Sequence, residues 1–336
     1  MQEMINKLKN NWTNWHHIFH QSILNSVNFM PNGIHLLISV SGGQDSMALM
    51  TLLDDIKAHH NWSINVWHGN HKWHNKSDEF TKELQNYCFQ KKINFHKDSA
   101  DEIDISTEEK ARKWRYQKLY EKALEICAKN KNQNNLYVVT GHTSTDNSET
   151  FLLNLARGSN LNGLSGIPSK RLLNEDFFLV RPLMIFSRDD TSAICKALKI
   201  PFWIDPTNTD TQLKRNLVRH RIMNELEEIY PGCSHRINNF IEKMRNYSQE
   251  RSELCELAIK SCLCDNGIRR TPLNELGKQT RATLLHSLLS TKCKKQINSK
   301  NIDDLSKQIF AKNSGQKCFS NGVKVIWNKN FIRIIS

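Results

Sequence analysis

The sequence predicts an α/β fold in which a parallel sheet is covered by helices, followed by a mainly helical domain that ends in a small C-terminal β-meander. Three observations carry this. Up to about residue 205, short β-branched or apolar runs alternate with longer helical segments, the pattern of strands between crossover helices. After Tyr230-Pro231-Gly232 the alternation stops and helical periodicity takes over. Residues 316–335 then alternate apolar positions between turn signals at Ser320-Asn321-Gly322 and Asn328-Lys329-Asn330, which suits three short strands.

The strand candidates are 34–40, 64–67, 93–96 and 136–140. Helices are expected over 47–57, 78–90 and 108–128, the last introduced by Ser106-Thr107-Glu108-Glu109, a capping box. The later helices are expected over 235–263, 273–289 and 301–309. A chain of 336 residues exceeds the usual single core, which holds about 100–200 residues. The boundary is therefore expected between 215 and 232, dividing the chain into domains of 1–222 and 223–336.

Hydrophobic residues make up 38% of the chain and charged ones 24%, the balance of an ordinary soluble protein. No apolar run approaches the ~20 residues of a membrane-spanning helix, and residues 1–11 lack the apolar stretch of a secretory signal. A cytoplasmic protein with no membrane partner is expected. The nine cysteines include no Cys-x-x-Cys, the closest pair being Cys262 and Cys264, so reduced thiols and no structural metal are expected. The 47 Lys and Arg against 34 Asp and Glu leave a net charge of +13, which favours a polyanionic partner. The excess is uneven, since residues 221–336 hold 20 basic against 11 acidic side chains.

The apolar run 34–40 leads directly into Ser41-Gly42-Gly43-Gln44-Asp45-Ser46, which opens a helix at Met47. Two glycines let backbone amides approach a phosphate, two hydroxyls add donors, and the helix start supplies about half a positive charge. A serine-glycine turn that merely caps the helix is the plainer reading. The Lys of a Walker A loop is missing, so the loop is not built for transfer of a terminal phosphate. The pattern resembles the PP-loop of the ATP pyrophosphatases, adenine nucleotide α-hydrolase-like enzymes that cut ATP between its α and β phosphates.

A second constellation follows the strand at 136–140. It runs Gly141-His142, then Asp146 and Glu149 on one face of a helical first turn, then Leu155-Ala156-Arg157-Gly158-Ser159 and Gly163-Leu164-Ser165-Gly166. With Val66-Trp67-His68-Gly69-Asn70-His71, Glu109 to Tyr116, Arg181-Pro182-Leu183, Ser187-Arg188, Asp205-Pro206-Thr207-Asn208 and Arg215-Asn216-Leu217-Val218-Arg219-His220, the run resembles the tRNA(Ile)-lysidine synthetases within the PP-loop superfamily. The resemblance spans about 34–220; beyond 232 only a general plan is shared. The chain departs from the family in having Thr145-Asp146 where two adjacent acids are usual, and Lys72-Trp73 in place of Gly-Leu.

The resemblance implies ATP and magnesium bound at Ser41, Gly42, Gly43, Gln44, Asp45, Ser46 and Gly141, with Asp45 at the metal. It implies a ligase that adenylates the wobble cytidine of the CAU anticodon of tRNA(Ile) and joins L-lysine to C2, giving lysidine, AMP and pyrophosphate. Asp45, Arg112, His142, Asp146 and Glu149 are then the catalytic candidates. Asp146 and Glu149 would grip the lysine ammonium, and His142 or a carboxylate would accept a proton. Arg157, Arg215, Asn216 and Arg219 would meet tRNA or phosphate, although any single arginine is more often a solvated or salt-bridged one. Pairing of two copies is left open. The rival reading is another PP-loop enzyme such as a tRNA thiolase, against which the absence of paired cysteines counts. A small-molecule synthetase of the superfamily leaves the surplus charge without a use, and a non-catalytic RNA-binding scaffold leaves the intact loop without one.

Overall fold

The computed structural model describes residues 12–73, 75–100, 107–130, 135–203, 214–292, 299–319 and 322–335. The expected motif at Asp205-Pro206-Thr207-Asn208 and the turn residues Ser320 and Asn321 lie outside them.

Strands β1 (His35–Ser39), β2 (Ser63–Asn70), β3 (Asn94–Ser99), β4 (Leu136–Thr140), β5 (Lys170–Leu173) and β6 (Phe177–Val180) form one sheet in the order β3-β2-β1-β4-β6-β5. All neighbours run parallel except β5, which returns along β6 as an antiparallel edge. The β5–β6 hairpin is absent from the sequence expectations.

Alternation along the central strands explains why both faces are covered. In β1, Leu36 and Ile38 join the apolar cluster built with the helices Asn14–Leu24 and Gln44–His60, whereas Leu37 joins the opposite cluster with the helix Glu108–Asn130. Val139 and Val138 of β4 divide in the same way. Strands buried on both sides read as continuous apolar runs, which is why β1 and β4 are legible.

The start of the helix Glu108–Asn130 differs in detail from the expected capping box. Thr107 Oγ1 accepts from the Lys110 amide at 3.2 Å, while Glu109 reaches Lys113 one turn on. Thr107 is thus the cap, and Ser106 lies outside the described residues.

By their internal contacts the residues fall into two compact units, Met1–Glu242 and Lys243–Ser336, whereas the sequence expectation set the division after 222. In the second unit, the expected helix 273–289 is two pieces, Thr271–Asn274 and Lys278–Lys292. The break holds Gly277, and glycine costs about 1 kcal/mol in a helix interior. The meander β9 (Gly315–Cys318), β10 (Lys324–Trp327) and β11 (Phe331–Ile335) is present, widened to five strands by β7 (Leu263–Cys264) and β8 (Gly267–Arg269) in the order β7-β8-β11-β10-β9. Buried Arg270 ties the corner, donating to the carbonyl oxygens of Asn328 at 2.8 Å and Lys312 at 3.0 Å. No helix among the described residues is long and apolar enough to cross a membrane.

Candidate active site

The carboxyl ends of β1 and β4 present the loop and its partners side by side, where open α/β sheets hold ligands. Gly42 carries φ +90°, and its carbonyl accepts from the Trp203 amide at 2.9 Å. A Cβ at Gly42 would meet Trp203 Cε3 at 2.9 Å, so positive φ and close packing both demand glycine there. Ser46 Oγ donates to the Gly43 carbonyl at 2.9 Å and lies 3.2 Å from Ser41 Oγ, so the two hydroxyls brace the turn against each other. Gly43 caps the helix Gln44–His60, whose first amides have no intrahelical partners. Gly141, just past β4, would place a Cβ 3.2 Å from Ser46 Cα; its bareness lets the two strand ends approach.

Two loop side chains point to the helix Arg188–Ala197. Gln44 Nε2 donates to the Arg188 carbonyl at 2.8 Å and to Thr191 Oγ1 at 3.1 Å, so its amide braces that helix. Asp45 accepts from the Thr191 hydroxyl and, at 3.4 Å, from Arg188 Nη1. Burial raises the Asp45 carboxyl above its usual range and nearby Asp146 adds to this, with Arg188, Thr191 and Arg219 opposing. Among the described residues no group of three His, Cys, Asp or Glu side chains could hold a metal ion. The Asp45 carboxylate fits an ion whose other ligands arrive with a triphosphate.

The helix Ser144–Ala156 carries the second half of the site. Thr143 caps it, accepting from the Asp146 amide, while Asp146 Oδ2 accepts from the Thr143 amide at 2.9 Å and from its hydroxyl at 3.1 Å. Arg215 and Arg219 stand one turn apart, the second in the π-helix Val218–Met223. Arg215 Nη2 donates to Asp146 Oδ1 at 2.8 Å and Arg215 Nε to Glu149 Oε2 at 2.9 Å. Arg219 Nε donates to Glu149 Oε1 at 2.6 Å and Arg219 Nη2 to Asp146 Oδ1 at 3.1 Å. The acids assigned by sequence to lysine and the arginines assigned to phosphate or RNA thus form one network. Burial alone would raise the Asp146 carboxyl; Arg215, His142 and Arg219 overcome it and hold it well below the usual carboxylate range.

His142 bonds Thr140 through Nδ1, the heavy atoms 3.0 Å apart. Burial, with Arg181, Arg215 and Arg112 nearby, pushes its imidazole down to about 3 against the pull of Asp146. In this arrangement His142 is a neutral hydrogen-bonding group.

Arg112, Arg157, Lys214 and Arg215 line a cavity of about 380 Å³ together with Glu108 and Asn154. Its basic wall suits phosphate. Arg112 also sits 5.5 Å from the centre of the Tyr116 ring. Asn216 is buried beside these groups in the helix Lys214–Leu217.

The sequence reading overlooked three residues. Thr191 and Trp203 hold the loop from the chain's later half, and Asn147 takes the Ile167 amide at 2.7 Å and donates to Asn238 at 2.7 Å, anchoring the turn at Gly166. Only the polar character of Asn147 within an otherwise helical stretch signals such a role.

A family profile described as the PP-loop domain matches residues 15–226. A protein named tRNA(Ile)-lysidine synthase from Prochlorococcus marinus subsp. pastoris is 50% identical over 329 residues, covering 98% of each chain. A namesake from another Prochlorococcus marinus strain is 38% identical, again over 98% of each. Among solved structures, a U34-tRNA thiolase from Methanococcus maripaludis described with its iron–sulfur cluster superposes with a TM-score of 0.53 at 15% identity, covering 68% of this chain and 76% of its own. That likeness speaks to the fold alone.

Proposed function

The chain belongs to the tRNA(Ile)-lysidine synthase family of PP-loop enzymes, and from that premise we propose that it joins L-lysine to C2 of the wobble cytidine in the CAU anticodon of tRNA(Ile), using ATP. The observation that carries the reading is the coupling of two halves. A phosphate loop without a P-loop lysine packs at Ser46 against Gly141, which leads into the helix whose Asp146 and Glu149 bind Arg215 and Arg219.

In the proposed reaction the cytidine O2 attacks the α-phosphorus and the bond to pyrophosphate breaks. The lysine ε-amine then attacks C2, loses a proton, and AMP departs with the former carbonyl oxygen. An amide-like oxygen leaves poorly and AMP leaves well, which is the use of the ATP. This makes the protein a ligase forming a carbon–nitrogen bond. The backbone of 41–46 would cradle the phosphates, with Ser41 and Ser46 adding donors. Magnesium arriving with ATP would be held by Asp45 and phosphate oxygens and would offset charge on the departing pyrophosphate.

Arg112, Arg215 and Arg219 are the groups proposed to meet charge developing on the α-phosphate. Asp146 and Glu149 are proposed to take the lysine α-ammonium in exchange for those guanidinium groups, freeing the arginines to turn towards phosphate. His142, neutral, would orient the reacting groups. Arg157 lines the basic cavity, which supports a contact with the RNA backbone there; Asn216 is proposed to act beside it from the neighbouring helix. The positively charged carboxyl-terminal unit supports a role in holding the rest of the tRNA by its phosphates. The reaction is read as cytoplasmic, where its tRNA would be met.

Pyrophosphate release from ATP is the test. Dependence on both tRNA and lysine is expected; release that needs a sulfur donor in place of lysine would select the thiolase chemistry and overturn the reading.

A further inference from the structure

A ladder of aromatic rings climbs from the core to the surface beside the phosphate loop. Trp67 of β2 is 1% exposed. Trp114, from the second turn of the helix Glu108–Asn130, has its ring 6.0 Å from that of Trp67. His71 stands edge-on to Trp114 at 5.1 Å and lies 4.8 Å from Trp73. Trp73 ends the ladder with 42% of its surface exposed. Gly69 keeps the interior of the ladder open, because a Cβ there would strike Trp67 at 2.5 Å and Trp114 at 2.8 Å.

The turn that presents Trp73 is held in place. The Lys72 amide donates to Asn70 Oδ1 at 2.9 Å, and Asn70 Nδ2 donates to Asp78 Oδ1 at 2.6 Å. Lys72 adopts φ +52°, a left-handed conformation sustained by that side-chain bond. The same strand end is tied to the loop: the Val40 amide donates to the Trp67 carbonyl at 2.9 Å, and His68 Nδ1 donates to the Val40 carbonyl at 2.8 Å. The Trp73 turn and the phosphate loop therefore leave one edge of the sheet together. Lys72 and Lys76 flank the indole in sequence and are exposed.

We propose that Trp73 is a stacking platform for an unpaired base of the anticodon loop, next to the cytidine that reacts. The inference rests on the tRNA reading above and adds to it the group that receives a neighbouring base. A half-exposed indole backed by other rings offers a rigid π-face at little entropic cost, and flanking ammonium groups suit the phosphates on either side of a stacked base. A cytidine drawn into the site must leave its own stack, and its neighbour then needs a new surface.

The test is binding of a fluorescein-labelled anticodon stem-loop RNA bearing CAU to the full chain, with a blunt RNA duplex of equal length as control. Trp73→Ala is expected to weaken stem-loop binding about tenfold, Trp73→Phe to stay within about threefold of the parent protein, and duplex binding to be unchanged in both. An abasic replacement at one loop position should weaken the parent protein about tenfold while leaving Trp73→Ala no weaker than before. Parent-like stem-loop binding by Trp73→Ala, or an equal loss on the duplex, would overturn the platform alone. No stem-loop binding by the unaltered chain would overturn the tRNA reading with it.

Discussion

Arg219 Nε donates to Glu149 Oε1 across 2.6 Å, and the carboxylate that receives it is 0% exposed. A charge so placed is tolerable only while paired. Removing one partner of a buried pair costs about 3–5 kcal/mol. Arg219→Ala is expected to lower stability by about 3 kcal/mol, at the lower end because Arg215 still donates to the same carboxylate. A urea unfolding midpoint equal to that of the parent protein would contradict the network's structural weight.

Gly42 combines φ +90° with Trp203 against its bare Cα. Gly42→Ala should strain the turn by about 1–2 kcal/mol through its dihedral alone and more through the clash, weakening ATP binding. Adding Trp203→Ala should relieve the clash and leave the dihedral cost, giving partial recovery. Titration of a non-hydrolysable ATP analogue checks this, and full recovery would assign the whole effect to packing.

His142 sets a pH dependence whose sign follows from its depressed pKa. An unfolded imidazole takes its proton near 6.5 and the folded one near 3. Between these values the unfolded state binds more protons, so stability falls as the pH is lowered through the window and is flat above it. His60, lowered to about 4 by burial and by His20 and His59, acts in the same direction. His142→Gln should flatten part of this acid limb in thermal melts from pH 7 to pH 4; an unchanged slope would show that His142 protonates normally when folded.

Asp45→Ala should reduce lysine- and tRNA-dependent pyrophosphate release by at least about a hundredfold while moving the melting temperature little. Its partner Arg188 keeps 34% of its side chain in water and can be resolvated. Normal turnover would remove Asp45 from the chemistry.

The parts of this architecture that were legible in sequence are those set by local pattern. β1 and β4 are continuous apolar runs because both faces are covered, and Gly42-Gly43 between a strand and a helix can be read without tertiary knowledge. The β5–β6 hairpin was missed because Lys170-Arg171 and the exposed Phe178 break the apolar alternation. β7 and β8, of two and three residues, are too short to carry a pattern. At the site, position was legible and partnership was not. Arg215 and Glu149 lie 66 residues apart in the chain, and Asp45 and Thr191 lie 146 apart. No spacing rule predicts that acids and arginines drawn from such distant segments will neutralise one another.

The most direct measurement is incubation of the protein with ATP, labelled lysine and a tRNA(Ile) transcript bearing the CAU anticodon, followed by mapping of the label. The account requires one lysine per tRNA at the wobble cytidine, with AMP and pyrophosphate formed in equal amount. Label absent from that nucleotide, or ATP cleaved to ADP and phosphate, would contradict it.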